Sequence, residues 1–226
     1  MKGKLNQDQK SPDRASQKDR FSLNFIVLIL LFSLIYSIVR YNLFGGVQWS
    51  ELPFFIMNKI ISLNGIILLV FTFSVKPLQN LGVKVSPKWL KSRKIIGIAG
   101  FISIFVHLIL SVMLFTPAYY GKFFTVAGKL TLNSGLSMLF GVLAFVILWF
   151  YNLSFYKSDK NKEINKVFKS RKFLFLVMPF TAIHLFFMGY KGWLNPEGWN
   201  GGIPPISLVA FLFFCVGYII NIFGRK

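Results

Sequence analysis

Six apolar stretches, each close to the length of a membrane-spanning helix, follow one another along this chain. They occupy residues 21–38, 53–75, 95–115, 130–151, 173–190 and 206–223. A helix needs roughly 20 apolar residues to cross the hydrocarbon core of a bilayer. Backbone groups in lipid must be satisfied within the segment, and the alternating pattern of membrane-spanning strands is absent, so each stretch predicts a helix. The sequence therefore predicts an all-α integral membrane protein, a bundle of six transmembrane helices.

The composition and the charge agree with this class of protein. Of the 226 residues, 54% are hydrophobic and only 15% are charged, which lies outside the range of soluble domains. A net charge of +19 would suit nucleic acid if it covered one soluble face, but the basic residues alternate with the apolar stretches. We therefore expect membrane lipids, and no nucleic acid, as partners. Residues 1–20 are predicted to be a charged cytoplasmic tail, and residues 21–226 a single six-helix domain.

Most of the 26 Lys and Arg residues flank the apolar stretches on one side. They precede the first stretch, separate the second from the third and the fourth from the fifth, and end the chain at Arg225 and Lys226. Because cytoplasmic loops of membrane proteins are enriched in Lys and Arg, both termini are predicted to be cytoplasmic. The first stretch has no cleavage pattern and is predicted to be retained. A bacterial cytoplasmic membrane is the simplest location for such a chain.

The chain has two histidines, and both lie inside apolar stretches. His107 follows Lys94 by thirteen residues, and His184 follows Lys172 by twelve. At a rise of about 1.5 Å per residue, both imidazoles are predicted to lie roughly 18 to 20 Å from the basic side of the membrane. The third and fifth helices run in the same direction in the predicted topology, so the two rings share a depth in the outer half. Such a pair suits the axial positions of a b-type heme iron.

Other site chemistries lack the residues that they need. The seven Asp and Glu residues all lie in the tail or in loops, which excludes a carboxylate relay or an octahedral metal site within the helices. Two histidines alone underfill a zinc site. The single cysteine, Cys215, excludes an intramolecular disulfide and dithiol exchange. Either histidine taken alone could equally form a hydrogen bond across helices and bind no ligand.

Several polar residues are candidates for assisting the histidines. Lys59, Arg40 and Lys191 lie near the outer ends of predicted helices, where they could neutralise heme propionates or extend to lipid headgroups. Hydroxyls close to the histidines could orient the rings or serve in ordinary helix packing. These hydroxyls belong to Ser103, Ser111 and Thr181.

Short motifs in three of the stretches resemble a known family. Arg93 and Lys94 are followed by two isoleucines, Gly97 and, ten residues later, His107. Upstream, the run from Gly65 through Thr72 to Pro77 and Leu78 and, downstream, the run from Lys169 to His184 match further helices of the same family. Over about residues 55–223, the chain is similar to the ferric-reductase-like transmembrane domain, and most similar to its MsrQ-type heme b membrane subunits.

The resemblance implies one heme b in the outer half of the membrane, held by His107 and His184. Relatives use a further histidine thirteen positions before the second ligand to hold an inner heme, but this chain has Arg171 there. Arg93, Lys94, Arg171 and Lys172 would form a basic inner rim. Such a rim could bind the phosphates of FMN or FAD, or a quinone could bind beside it. The same residues could instead serve as positive-inside anchors that contact anionic lipid.

The leading functional expectation is transmembrane electron transfer through heme b. Electrons would pass from a cytoplasmic flavoprotein or a quinol to an acceptor outside, either a ferric complex or a redox partner. The chain would be the membrane component of an oxidoreductase, with a soluble flavin reductase docked on its basic side, because it has no nucleotide-binding fingerprint. Two alternatives stay open: a heme-free permease subunit or assembly factor on the same scaffold, and a quinol-linked cytochrome with no outer protein partner.

Overall fold

The computed structural model describes residues 12–154, 166–168, 170, 173 and 175–224. Helices dominate this part of the chain, and it contains no strand, only one isolated antiparallel bridge between Phe124 and Leu130. The α-helices are α1 (Pro12–Ser37), α2 (Met57–Asn80), α3 (Pro87–Leu114), the short α4 (Pro117–Tyr120), α5 (Leu132–Leu153), α6 (Val177–Trp193) and α7 (Ile206–Phe223). The prediction of an all-helical chain agrees with these described residues.

Five helical segments of the described residues are long and apolar enough to cross a membrane. They are Arg20–Leu43, Trp49–Asn80, Pro87–Leu114, Leu132–Leu153 and Asn200–Phe223. The remaining predicted span, residues 173–190, overlaps α6, which has 17 residues. Pro179 lies in the first turn of α6, where a missing backbone N–H costs no helical hydrogen bond. Five spans are thus present by length and composition, and the sixth stays a prediction.

Helix boundaries follow local signals, and α1 and α3 begin well before the predicted apolar stretches. Pro87 is the first residue of α3, and the Ser86 side chain caps that helix by accepting a hydrogen bond from the Lys88 backbone N–H. Thr131 caps α5 in the same way through the N–H of Ser134. The helix α1 begins at Pro12, within the segment predicted to be a tail. A helix does not have to begin or end at the membrane surface, so an apolar stretch does not fix the ends of its helix.

Small residues let α2 and α3 approach each other closely within their predicted membrane-spanning parts. A Cβ added at Gly97 would lie 3.0 Å from Thr72 Cγ2, and one at Gly65 would lie 2.8 Å from Ile104 Cδ1. At Gly100 it would meet Leu69 at 3.0 Å. Because helices in lipid associate through close packing rather than through the hydrophobic effect, such glycines hold the α2–α3 pair together. The motif glycines at 65 and 97 therefore have a packing role in this fold.

The remaining helices surround this pair and leave a space on one side. Helix α2 also packs against α1 and α7, whereas α5 packs mainly against α6. One end of the bundle holds residues 38–56, 115–131 and 194–205, and we call it the outer end in keeping with the predicted topology. Towards the opposite end, apolar side chains from α2, α5 and α6 form a closed cluster. They are Leu69, Ala144, Leu148 and Val177.

Candidate functional site

A cavity of about 610 Å³ lies between α2, α3, α5, α6 and the start of α7. Its volume falls within the roughly 300–1,000 Å³ typical of cofactor and small-molecule sites. His107 on α3 and His184 on α6 both line it, each from its own helix. The two histidines of the chain, 77 positions apart in sequence, are therefore brought to a single cavity within the bundle.

The first wall of the cavity holds His107 through a side-chain network. His107 Nδ1 lies 2.6 Å from Asn58 Oδ1 and 3.3 Å from Ser111 Oγ. The Asn58 amide nitrogen donates to Ser111 Oγ and to the Tyr120 hydroxyl, at 3.2 Å each. Since that nitrogen is used as a donor, Oδ1 is the atom that accepts from the ring. The network therefore assigns the proton of His107 to Nδ1.

The second wall holds His184 through the main chain. His184 Nδ1 lies 2.7 Å from the Ser137 carbonyl oxygen and 3.2 Å from Ser137 Oγ. A carbonyl oxygen can only accept, so Nδ1 of His184 also carries the proton. The ring fits because position 141 on α5 is a glycine: an added Cβ there would lie 2.6 Å from His184 Nδ1 and 2.9 Å from Cε1. Gly141 thus provides the space into which this imidazole packs.

The two rings share a protonation state that suits ligation. With Nδ1–H donating in each, the lone pair of each ring lies on Nε2, and neither Nε2 has a hydrogen-bond partner among the described residues. In metal-binding histidines, the ring nitrogen that does not bind the metal usually donates its N–H to an oxygen atom, which fixes the orientation of the ring. Two neutral imidazoles with free Nε2 atoms on one cavity form a donor set that fits the axial positions of a heme iron. In the described part of the chain, no three His, Cys, Asp or Glu side chains lie close enough together to hold a metal ion by themselves.

The outer part of the cavity is strongly basic. Arg40, Lys59, Lys122 and Lys191 line it, and no Asp or Glu is among the described residues that do so. Desolvation by the surrounding protein, together with the positive charges of Lys59 and Arg40, lowers the pKa of Lys122 from 10.5 to about 8. The inner part is apolar, where α2, α5 and α6 close it. A ligand with an apolar body and acidic groups at one end matches this division.

The predicted assisting residues divide into two groups. Ser111 contacts His107 as expected, and Arg40, Lys59 and Lys191 all line the cavity. Ser103 instead accepts from the Asn64 amide and donates to a backbone carbonyl on its own helix, and Thr181 likewise donates to its own helix. Neither hydroxyl contacts an imidazole: that of Ser103 joins α2 to α3 through Asn64, and that of Thr181 stays bonded within α6, although Thr181 lines the cavity.

Arg93 and Lys94 are the two residues of the predicted inner rim that the structure describes, and they do not line the cavity of the histidines. Arg93 Nε donates to the backbone carbonyl of Thr72 at 3.0 Å, Lys94 is exposed, and neither lines the cavity. Arg171 and Lys172 fall outside the described residues. The structure therefore separates Arg93 and Lys94 from the cavity, and their expected role at a flavin phosphate stays a prediction.

Sequence reasoning missed the residues that hold the rings. Asn58, Ser137, Gly141 and Tyr120 each contact a histidine or its direct partner. A signal was available for Asn58, because an amide beside Lys59 inside an apolar stretch is costly without a partner. Ser137 acts chiefly through its backbone carbonyl, which no side-chain pattern marks.

Comparison with known proteins adds no family to this picture. No protein-family model matches the chain, and no curated protein matches it significantly. The resemblance to ferric-reductase-like transmembrane domains accordingly stays a prediction.

Proposed function

We propose that this chain is a heme b-binding membrane protein that passes electrons from a cytoplasmic flavoprotein or quinol to an acceptor outside the membrane. The observation that carries the proposal is the pair of imidazoles on one cavity, each with Nδ1–H held by an oxygen atom and Nε2 left without a partner. Heme b bound there would supply a one-electron iron couple within the membrane.

The residues around the histidines support this use of the cavity. Asn58 and the Ser137 carbonyl hold the two rings in the tautomer that keeps Nε2 available for a metal. Ile66, Leu69 and Ile104 give the inner walls an apolar surface that excludes water. An imidazole whose Nδ1–H is already hydrogen-bonded loses little conformational entropy when its Nε2 binds a metal. The pair is therefore preorganised.

The proposal extends to the scaffold and its surroundings. The chain would have six transmembrane helices with both termini in the cytoplasm, on a ferric-reductase-like scaffold in a bacterial cytoplasmic membrane. Its basic cytoplasmic side would attract an acidic surface of a soluble flavin reductase, because opposite potentials raise association rates. The acceptor would approach at the outer end and would be a ferric complex or a redox partner.

Absorption spectra of the purified full-length chain test the proposal. Protein from heme-replete cells should show a reduced-minus-oxidised spectrum of heme b, at about one heme per chain. His107→Ala and His184→Ala should each lose it, because each removes one axial ligand. Ser103→Ala is a matched control, since Ser103 lies on the same helix as His107 but does not line the cavity. Colourless wild-type protein, or heme that survives both histidine substitutions, would contradict the proposal and favour a heme-free membrane protein.

The donor can be identified with the same preparation. Addition of a quinol without any flavoprotein should leave the heme oxidised if a flavin reductase is the donor. Rapid reduction by quinol alone would instead assign the chain to quinol-linked cytochromes.

A further inference from the structure

Arg40 is a buried cation without an acidic partner among the described residues. It lies in a π-helical turn, Ile38–Leu43, that extends α1 at the outer end. Its side chain is 6% exposed and lines the cavity. One guanidinium nitrogen donates to the Ile203 carbonyl, whereas Nε is buried with no hydrogen-bond partner. The Tyr41 ring, with its centroid 5.4 Å from the guanidinium carbon, is its other neighbour. A buried charge is costly unless it is paired, so a bound anion would stabilise this guanidinium.

Two lysines extend this charge across the outer part of the cavity. Lys59 Nζ lies 3.3 Å from the Tyr120 hydroxyl and above the rings of Phe55 and Tyr120, at 4.8 and 4.6 Å. Lys122 Nζ lies 5.1 Å from the centroid of the Phe123 ring, which stacks on Tyr120. Both side chains are therefore held against aromatic rings at the cavity.

The positive charges of these side chains repel one another. Lys59 and Arg40 are the two charged groups that depress the pKa of Lys122, in addition to desolvation, and the Tyr120 phenol is the titratable neighbour that bonds Lys59. A bound anion would relieve this repulsion. Extension to lipid headgroups does not account for the cluster, because a snorkelling side chain keeps its charge in water and Arg40 is buried. Lys122 and Lys191 are both exposed, but only Lys122 contacts an aromatic ring and lies close enough to Lys59 and Arg40 for their charges to lower its pKa. Lys191 has no such contact among the described residues and fits the account by lipid headgroups.

We propose that Arg40, Lys59 and Lys122 form a carboxylate-binding site at the outer end of the cavity, which holds the two propionate groups of the porphyrin. The inference rests on the proposed function and adds to it the orientation of the ligand, with its acidic edge outward. A guanidinium can bind a carboxylate through two parallel hydrogen bonds, and the ammonium groups add charge-assisted bonds. The apolar inner cavity would then receive the opposite edge of the ring, which carries apolar methyl and vinyl groups.

Iron-free porphyrins separate this site from histidine ligation. The full-length chain in detergent is titrated with protoporphyrin IX and with its dimethyl ester, and binding is followed by porphyrin fluorescence. The diacid should bind at least about tenfold more tightly than the ester. Lys122→Gln and Lys59→Met should each reduce this preference about threefold to tenfold, and Arg40→Leu should reduce it further. Lys129→Gln is the matched control, because Lys129 lies in the same loop as Lys122 but does not line the cavity.

Arg40→Leu also removes a hydrogen bond to Ile203, so the folding of this variant is checked by size-exclusion chromatography. If it does not fold, the Lys122→Gln variant provides the test.

Affinity for the diacid should fall as the pH rises above about 8, because Lys122 loses its proton there in the free protein. Lys122→Gln should flatten this dependence. Equal affinity for acid and ester, or displacement of the diacid by an anionic phospholipid but not by a zwitterionic one, would overturn the proposal. A preserved acid preference in a protein whose histidines bind no iron would refute the proposed function and leave the carboxylate site standing.

Discussion

The two walls of the cavity hold their imidazoles by different means. On the α2–α3 wall, His107 meets the side-chain amide of Asn58, which in turn bonds Ser111 and Tyr120. On the α5–α6 wall, His184 meets a backbone carbonyl and packs over a glycine. The first ring is fixed by replaceable side chains, and the second is fixed by the path of the main chain.

Because of this difference, the two walls are sensitive to different kinds of substitution. A main-chain acceptor survives every side-chain substitution, so the second wall is vulnerable to lost space rather than to lost hydrogen bonds. The first wall depends on an amide that is itself held by Tyr120, the residue that also bonds Lys59. The His107 wall is therefore linked to the outer cations, whereas among the described residues no chain of hydrogen bonds joins His184 to them.

The largest effect is expected from filling the space under His184. Gly141→Ala would place a Cβ at 2.6 Å from Nδ1, so the ring must move away from the Ser137 carbonyl. We expect heme affinity to fall by at least about 100-fold, measured by heme titration of the purified variant. Gly135→Ala on the same helix is the control, because open space surrounds its added Cβ, and it should bind heme normally. Normal heme binding by Gly141→Ala would show that the second wall is not constrained by space.

A somewhat smaller effect is expected from the side-chain acceptor of the first wall. Asn58→Leu removes the oxygen that holds His107 Nδ1–H, and loss of such an outer partner typically costs 10- to 100-fold in metal affinity. Asn58→Asp keeps an acceptor at the same position and should restore much of the affinity. If Asn58→Leu left the heme spectrum and affinity unchanged, the orientation of His107 would not depend on this network.

A still smaller effect is expected from the matching side chain of the second wall. Ser137→Ala removes the Oγ atom, which lies 3.2 Å from His184 Nδ1 and donates to the His184 carbonyl oxygen at 3.0 Å. It leaves the Ser137 carbonyl oxygen 2.7 Å from His184 Nδ1. Heme affinity should fall no more than about threefold, since the main-chain hydrogen bond is retained. A loss as large as that of Asn58→Leu would erase the distinction between the two walls.

The smallest effect concerns the cations beside the first wall. The pKa of Lys122 is about 8 in the folded chain against an ordinary value of 10.5, so the unfolded chain binds more protons between these values. The unfolding free energy of the heme-free protein should therefore rise with pH from about 8 to 10.5. Part of the side chain is exposed, which limits the gain to below about 1 kcal/mol. Thermal unfolding at pH 7.5 and 9.5 checks this, with Lys122→Gln losing the rise and Lys129→Gln keeping it.

The sequence predicts the helices better than it predicts the site. Apolar length alone places α2, α3 and α5, because a segment in lipid has no alternative to a helix. It does not place their ends, which depend on caps such as Ser86 and on helix growth beyond the membrane. Counting residues along two parallel helices predicts that His107 and His184 share a depth, but it cannot predict which way each helix faces.

Which residues contact the histidines depends on how each helix is rotated about its own axis, and the sequence does not predict that rotation. Asn58 reaches His107 across the α2–α3 contact, and the glycines at 65 and 97 set how close these helices come. The Ser137 carbonyl is available because His184 packs against α5 at Gly141. Packing between helices, and not the pattern along any one of them, decides these contacts.

Pulsed electron paramagnetic resonance of the ferric protein labelled with ¹⁵N-histidine shows whether both imidazoles bind one iron through Nε2. The chain has two histidines, so a preparation without a polyhistidine tag contains no other labelled imidazole. We expect strong hyperfine coupling to two ¹⁵N nuclei in a low-spin heme. Coupling to one labelled nitrogen or to none in heme-loaded protein would contradict it.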